Sequence, residues 1–209
     1  MPVLTNEREY RNLAQPLTAQ AGDEARTVEG YATTFDSEYL LWDSGSYAVY
    51  ERVDSRAFEG CDMTDVIMQY DHQGRVFARS SNGTLELATD AHGLRVRADL
   101  SGTELGRQLY DEIRGGYTTR MSFGFTVAED KWEEITDHNT GRVTAHRTIL
   151  KLKKLYDVSA VSLPANDATE ISARALSDGW IRRAEQERLK ARQAEENRRK
   201  IQIILEVTQ

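Results

Sequence analysis

Three side chains of the kinds that catalyse acyl transfer lie far apart in this sequence. Ser122 stands in RMSFGF, His72 ends MQYDH, and Asp157 stands in LYDVSAVS. A serine hydroxyl becomes a good nucleophile when a base takes its proton, and histidine is the side chain that titrates near neutral pH. A carboxylate can orient that histidine. The residue types therefore propose a nucleophile, a base and an acid, although spacing alone does not establish that they meet.

The stretch around Ser122 has the alternation of a β-strand. In residues 118–126 the apolar side chains fall on one face, which leaves Ser122 and Gly124 on the other. This pattern fits the wet side of an ordinary sheet as well as it fits a presented nucleophile. Gly124 either lets a substrate backbone come close or only relieves crowding. The nucleophile-elbow pattern G-x-S-x-G is absent because Arg120 occupies its first position, which argues against an α/β-hydrolase.

The sequence offers other bases and nucleophiles. His92 falls in a predicted hairpin turn and His138 in a polar loop, so both are expected at the surface. His72 follows an apolar strand, and a strand end is a common place to present a catalytic group. A structural histidine, hydrogen-bonded at the strand end, is the simpler interpretation of His72 alone. The remaining candidate nucleophiles have no reactive signature or are small strand residues: Cys61, Ser159 and Ser162.

The acid is the third unusual residue. If the strand is regular, Asp157 shares a face with apolar side chains, where a carboxylate costs free energy unless a partner compensates it. A histidine is one suitable partner, since one ring nitrogen can donate to the acid while the other serves the nucleophile. An exposed edge, or pairing with Lys153 or Lys154, would explain Asp157 equally well. The residues alone leave these interpretations open.

The elements that must position these residues are mostly strands. Short runs typical of strands lie within residues 28–100, separated by Gly, Asp, Asn and Ser, with a hairpin turn predicted at Asp90–Gly93. An amphipathic helix follows, capped by Thr103 and stopped by Gly115 and Gly116. Its apolar positions are Leu105, Leu109 and Ile113.

The second half of the chain combines a strand, a loop and a longer strand. The serine strand is predicted over about residues 118–127, and residues 128–142 read as a polar loop with a turn at Asn139–Gly141. Residues 147–166 read as a long strand whose alternation slips at Lys153–Lys154, which predicts a bulge or bend.

Composition divides the chain into three parts. Residues 1–24 are polar without a sustained period, and we expect a flexible leader. Residues 25–175 carry the strands, the helix and the chemically suggestive residues. Residues 176–209 are dense in Glu, Arg, Lys, Gln and Ala, which predicts a charged helical tail that is either removable or partner-binding.

The overall charge and the rare residue types exclude several classes. The net charge of −7 disfavours a general nucleic-acid binder, because binding to phosphates needs a basic surface. No apolar run approaches the roughly 20 residues that span a bilayer, and the first residues show no secretory signal. Cys61 is the single cysteine, so a disulfide framework is impossible and a cytosolic compartment is the default. No metal-ligand cluster or Gly-rich nucleotide loop stands out, and we predict no metal and no cofactor.

The order of several short motifs gives a more specific indication. EGYATTF is followed by RAFEG, MQYDHQG, LRVRADL, a helix with TELG, RMSFGF and LYDVSAVSLPAN. Each motif is only moderately specific, but together, in this order, they resemble the prohead proteases of tailed phages, of the Hong Kong 97 type. The resemblance covers about residues 27–175.

The resemblance implies a fold and a function. The implied fold class is α+β: a mainly antiparallel β-barrel flanked by helices, as in herpesvirus assemblin, here with a charged helical C-terminal extension. The implied activity is that of a serine endopeptidase, which cleaves scaffold or the scaffolding segment of the major capsid protein and also processes itself. The implied location is the interior of the immature capsid in the host cytoplasm. The expected partners are the major capsid protein or scaffold and, in a homo-oligomer, further copies of the chain, with neither nucleic acid nor membrane.

The resemblance also implies roles for individual residues. Ser122 matches the family nucleophile and His72 the family histidine. The family acid is usually glutamate, and Asp157 at its position is one methylene shorter. Assemblin-like enzymes use a second histidine instead, for which His146 is the alternative. By the same analogy, the oxyanion donors are expected among the backbone N–H groups of residues 156–166.

A second hypothesis belongs to a different class of protein. A protease-like domain that has lost its activity could bind capsid subunits and use the charged C-terminal helix as scaffold. Retention of the serine, the histidine and the acid argues against this alternative, because a purely structural protein has no need of all three.

Overall fold

The structure, a computed structural model, describes residues 8–20 and 26–162. Ten strands and one α-helix, α1 (Glu104–Arg114), make up its regular elements, with a short 3₁₀ turn at Ser80–Asn82. The strands are β1 (Glu9–Ala19), β2 (Thr27–Thr34), β3 (Tyr39–Asp43), β4 (Tyr47–Val53), β5 (Ile67–Tyr70), β6 (Gln73–Arg79), β7 (Leu85–Thr89), β8 (Gly93–Asp99), β9 (Arg120–Thr136) and β10 (Val143–Val161).

All ten strands belong to one open, mixed sheet. Its order is β3-β4-β10-β9-β1-β2-β8-β7, and β5 and β6 branch from β10. β10 pairs in parallel with β4 and β5, whereas the other neighbouring strands are antiparallel. β3 and β7 end the sheet without pairing with each other, so it does not close into a barrel.

The predicted fold class, an α+β barrel flanked by helices, is therefore wrong. Within the described residues α1 stands alone as an α-helix, and the predicted helical extension lies outside them. The physical reason is that apolar alternation assigns the two faces of each strand but not its neighbours. The expectations of a closed barrel and of flanking helices came from the family resemblance alone.

β1 joins the two halves of the sheet. Its first part pairs with β9 and its last residues, Leu17–Ala19, pair with β2. The register shifts between Leu13 and Pro16, where proline offers no N–H to a ladder. Residues 9–19 fall within the predicted leader, and their alternation was not recognised because the buried side chains are charged. The division at 24/25 and 175/176 stays a prediction, and the tail lies outside the described residues.

β9 and β10 form a long hairpin that extends beyond the prediction. Residues 128–136, predicted as loop, continue β9, and the turn is confined to Asp137–Arg142. The outer half of β9 is polar because it is largely exposed, so it carries no apolar face. The predicted slip at Lys153–Lys154 is confirmed, since the register with β9 shifts between Leu152 and Lys154.

The helix follows its sequence signals. The Thr103 hydroxyl accepts the N–H of Gly106 at 2.9 Å, as an N-cap does. Leu109 and Ile113 are buried in the core, whereas Leu105 stays exposed. Gly116, with φ of +77°, ends the helix in a conformation that favours glycine. α1 leads the chain from β8 to the start of β9.

A buried set of charges fixes β1 to the sheet. This charged cluster consists of Glu9 and Arg11 from β1, Glu51 from β4, Arg147 from β10 and Tyr39 from β3, of which the four charged residues are at most 3% exposed. The Arg11 guanidinium donates to Glu51 at 2.5 and 2.8 Å, and Arg147 donates to Glu9 at 2.6 and 3.0 Å. Two carboxylates thus meet two guanidiniums within the cluster, and Arg147 also donates to Asp130 at its edge, at 2.8 Å.

The charged cluster shifts the pKa values of its own acidic groups. Burial by itself raises the pKa of Glu51, but Arg11 and Arg147 more than offset it and lower that pKa to about 2. Burial opposes ionisation of Glu9 too, and Arg11 and Arg147 lower its pKa below the usual range. Burial, followed by Glu51, raises the pKa of Tyr39, which keeps the phenol neutral.

We expect the fold to lose stability in acid as these carboxylates are protonated. Because their pKa values are lowered on folding, the contribution is complete above the ordinary value of 4.5 and is lost as pH falls towards about 2. Urea unfolding at a series of pH values, followed by tryptophan fluorescence, should show the midpoint falling through this window. In Glu51→Gln, the free energy of unfolding should fall by about 3 kcal/mol at neutral pH. Its difference from the wild-type value should become smaller in acid.

The control for this prediction is Glu86→Gln, on exposed β7, where the carboxylate makes only a surface ion pair with Arg97 at 3.7 Å. Its midpoint should stay close to that of the wild type. Equal midpoints for Glu51→Gln and Glu86→Gln would contradict the stabilising role of the cluster.

Candidate active site

Three neighbouring elements carry the proposed catalytic residues. Ser122 lies in the buried first half of β9, and Asp157 lies near the end of β10. His72 occupies the two-residue turn between β5 and β6. Asp71 and His72 both have positive φ, 46° and 57°, which two-residue hairpins of the tightest kind require. β5 pairs with β10, and β10 with β9, so the turn is brought to the serine strand.

The three side chains form one hydrogen-bonded chain. Nε2 of His72 lies 2.5 Å from Oγ of Ser122, and Nδ1 of the same ring contacts Oδ1 of Asp157. Across β9 and β10 the backbone register places Ser159 opposite Ser122 and Asp157 opposite Gly124. With the Nδ1 proton donated to the carboxylate, Nε2 is left to accept the serine proton. Residues proposed from separate motifs thus lie within contact distance of one another.

Ser159 has a place beside the acid. Its hydroxyl donates to Oδ1 of Asp157 at 3.1 Å and lies 3.2 Å from Nδ1 of His72. From the sequence alone, Ser159 is only another candidate nucleophile or a small strand residue. Its position opposite Ser122 in the sheet makes it a support for the carboxylate, because its hydroxyl is engaged there.

Neighbouring strands and side chains enclose Ser122. Its hydroxyl also lies 2.9 Å from the carbonyl oxygen of Arg11, to which it can donate. Backbone pairing occupies both edges of β9 at this point, with Asn12 of β1 on one side and Ser159 on the other. The side chain of Ser122 has no exposed surface, whereas that of His72 is 15% exposed. Solvent therefore reaches the site at the histidine.

Gly124 relieves crowding, the second of the two roles considered for it. A Cβ there would lie 2.3 Å from Oδ2 of Asp157 and 2.8 Å from Cε1 of Tyr10, closer than real Cβ contacts. The missing side chain therefore makes room for the Asp157 carboxylate, which contacts His72. The ring of Tyr10 in turn packs against the imidazole, with ring centres 4.4 Å apart. Nothing in the polar leader marked Tyr10 as part of this site.

Gly124→Ala should therefore impair catalysis by displacing the carboxylate. Shifts of about 1 Å in catalytic groups can cost roughly 10²-fold in rate, and we expect a loss of that order in kcat. Peptide-cleavage rates of the purified variant would measure it. The matched control is Gly102→Ala, where a Cβ meets nothing within 4 Å, so its rate should stay near that of the wild type. An unchanged rate in Gly124→Ala would contradict this role.

The other candidate residues lie elsewhere or are otherwise engaged. His146 pairs with Glu38 at 2.7 Å and stacks on Tyr50, so the structure does not bring it to Ser122. Lys154 pairs with Asp62 at 2.8 Å rather than with the proposed acid. Burial raises the pKa of the Cys61 thiol to about 11, which disfavours the thiolate.

The two remaining histidines and Ser162 occupy exposed turns. His92 lies in the turn between β7 and β8 against the ring of Tyr31, and His138 lies in the turn between β9 and β10. Ser162 follows β10, with its hydroxyl 3.4 Å from Asp71.

Among residues 8–20 and 26–162, no group of three or more His, Cys, Asp or Glu side chains is arranged to hold a metal ion. Over those ranges, no helix has the length and apolar character needed to cross a membrane.

A serine, a histidine and an aspartate hydrogen-bonded in series are the arrangement found in serine hydrolases. The family model of the caudovirus prohead serine proteases matches residues 15–179, which is most of the sequence. The chain therefore belongs to that family, and the resemblance seen in its motifs is confirmed. Membership makes it a serine peptidase of phage capsid maturation.

The other comparisons are less informative. No curated protein matches this sequence. Among solved structures, that of the bacteriophage T4 capsid assembly protease gp21 is similar, with 14% identity and a TM-score of 0.41. The match covers 75% of this chain and 99% of that chain. A TM-score this low is too weak to support a statement about function.

Proposed function

We propose that this chain is a serine endopeptidase that cleaves scaffold, or the scaffolding segment of the major capsid protein, as the prohead matures. The observation that carries the proposal is the position of His72, which contacts Ser122 through Nε2 and Asp157 through Nδ1. Membership of the prohead protease family supports the substrate class. The site acts on peptide bonds through an acyl-enzyme, as follows from a serine nucleophile.

The proposed mechanism assigns one role to each residue. His72 accepts the proton of Ser122 as Oγ attacks the peptide carbonyl, and it then gives that proton to the leaving amine. Water next enters, loses a proton to His72 as it attacks the acyl carbon, and His72 then returns that proton to Oγ of Ser122 as the bond between Oγ and the acyl group breaks. Asp157 holds the imidazole with its proton on Nδ1 and stabilises the charged ring. General-base help of this kind contributes roughly 10²- to 10⁴-fold.

The tetrahedral intermediate needs preorganised donors for its oxyanion. We place them among the backbone N–H groups of residues 156–166, by analogy with assemblin. Residues 163–166 lie outside the described part of the chain, so the assignment stays a prediction.

The proposal also includes a location and partners. The enzyme acts inside the immature capsid in the host cytoplasm, where the major capsid protein or scaffold is its substrate. Self-processing is part of the proposal, because peptide segments near the ends of a chain are accessible to its own active site or to that of a neighbour.

The test combines a substrate and an active-site probe. The purified full chain is incubated with its capsid protein, and mass spectrometry identifies the cut; in parallel, a small fluorophosphonate is used to label the nucleophile. Cleavage together with label on Ser122 is the expected result. Capsid-protein binding with neither cleavage nor label would instead indicate the non-catalytic assembly protein.

A further inference from the structure

One oxygen of the proposed acid has no hydrogen-bond partner. Oδ1 of Asp157 contacts His72 and Ser159, whereas Oδ2 is buried and accepts no hydrogen bond in the part of the chain that the structure describes. The side chain of Asp157 is only 1% exposed. A buried carboxylate oxygen without a compensating partner costs free energy, so a cation near it would help to hold the carboxylate in place.

Arg8 is the cation that faces this oxygen. Its Nη1 lies 3.8 Å from Oδ2 of Asp157, and its guanidinium lies 3.9 Å from the ring centre of Tyr156. The same Nη1 is 3.4 Å from the hydroxyl of Tyr10. A guanidinium stacked on an aromatic ring is weakly hydrated and held in place, which suits a positioned charge. Arg8 immediately precedes β1, and its side chain is 41% exposed.

We propose that Arg8 is a positioning residue of the active site, whose guanidinium compensates the buried Oδ2 of Asp157 and keeps the carboxylate aligned on His72. The inference rests on the proposed function, because it adds a residue to the same triad. Arg8 approaches Oδ2, the oxygen opposite the one used by His72, so it compensates the carboxylate without competing for the histidine contact. It acts through Asp157 and touches neither Ser122 nor the reacting bond.

The start of β1, directly after Arg8, supports this interpretation. The Tyr10 ring packs on His72, and the Arg11 carbonyl lies 2.9 Å from Ser122 Oγ. Successive residues of one segment thus contact the acid, the base and the nucleophile. The charged cluster anchors that segment through Glu9 and Arg11, so Arg8 is presented from a fixed strand.

The expected effect is moderate because Arg8 is partly exposed. In water-accessible positions an ion pair is screened and contributes little, so a loss of roughly two- to fivefold is expected. The loss should fall on kcat, with KM for a peptide within about twofold of the wild-type value, because the proposed contact orients the base rather than the substrate. Arg8→Lys should recover most of the rate, because it keeps the charge.

The experiment compares full-length wild type, Arg8→Gln, Arg8→Lys and the control Arg97→Gln. Arg97 lies on β8 and makes surface ion pairs with Glu29 and Glu86. For each protein, the rate at which a small fluorophosphonate labels Ser122 is measured, together with kcat and KM on a peptide. The probe needs an activated serine but no extended peptide site. Slow labelling in Arg8→Gln, recovery in Arg8→Lys and a normal rate in Arg97→Gln are the expected results.

Three outcomes would overturn the inference: equal labelling rates in Arg8→Gln and the wild type, a change confined to KM, or a loss that Arg8→Lys fails to recover. Failure of the proposed function is a separate result, since it would show as an absence of label on Ser122 in the wild type itself.

Discussion

Ser122→Ala is expected to abolish capsid-protein cleavage while leaving the protein folded. Removal of Oγ removes the atom that attacks the peptide bond, and losses on the order of 10⁴-fold or more follow when a catalytic serine is deleted. Only one side-chain atom disappears from a fully buried site, together with its contacts to His72 and the Arg11 carbonyl. We therefore expect a stability change of only about 1 kcal/mol.

Mass spectra of capsid protein produced with the variant and with the wild type would measure this effect. Ser55→Ala is the matched control, since Ser55 is an exposed serine in a turn remote in sequence from the triad. It should cleave at the wild-type rate. A purified, folded Ser122→Ala that still cuts the capsid protein would show that another residue is the nucleophile.

Asp157→Asn should produce the second largest loss, roughly 10³- to 10⁴-fold in kcat. The amide has nearly the shape of the carboxylate but no charge, so it neither stabilises the imidazolium nor holds the proton on Nδ1. The position opposite Gly124 and the contact with His72 support the proposal that Asp157 is the acid of the site. Steady-state kinetics on a capsid-derived peptide would measure the loss.

His146→Ala is the companion to this variant, because His146 was the alternative third member. His146 lies on a more distant part of β10 and pairs with Glu38, so we expect nearly normal kinetics for this variant. Inactivity of His146→Ala together with little change in Asp157→Asn would reverse the assignment.

The chemistry of the site could be proposed from the sequence, but its geometry could not. Ser122, His72 and Asp157 were chosen from residue types, strand ends and ordered motifs. Their distances depend on the register of β9 and β10, which shifts between Leu155 and Asp157. A shift of one residue would turn the carboxylate to the opposite face of the sheet. The alternation of the sequence indicated the slip at Lys153–Lys154 but not this second shift.

The fold was predictable where local signals decide it. The cap at Thr103 and the alternation of LRVRADL located α1 and β8 correctly. β1 was missed because Glu9 and Arg11 are buried through ion pairs with distant residues. Residues 128–136 were missed because a solvated strand carries no apolar face. The barrel was wrong because the pairing of edge strands is a global property.

The contacts that β1 makes with distant strands, and the late place of β10 in the sequence, determine when the site can first form. The chain must bring Arg11 to Ser122 across 111 residues and Glu9 to Arg147 across 138 residues. During synthesis, a ribosome-bound fragment that ends before β10 contains the nucleophile and the base but no acid. Contacts between residues this far apart in sequence also form late in folding. The entropic cost of closing a long loop must be met before those contacts can stabilise the structure. We therefore expect proteolytic activity to begin only after β10 has been synthesised, and shorter translation products to be inactive.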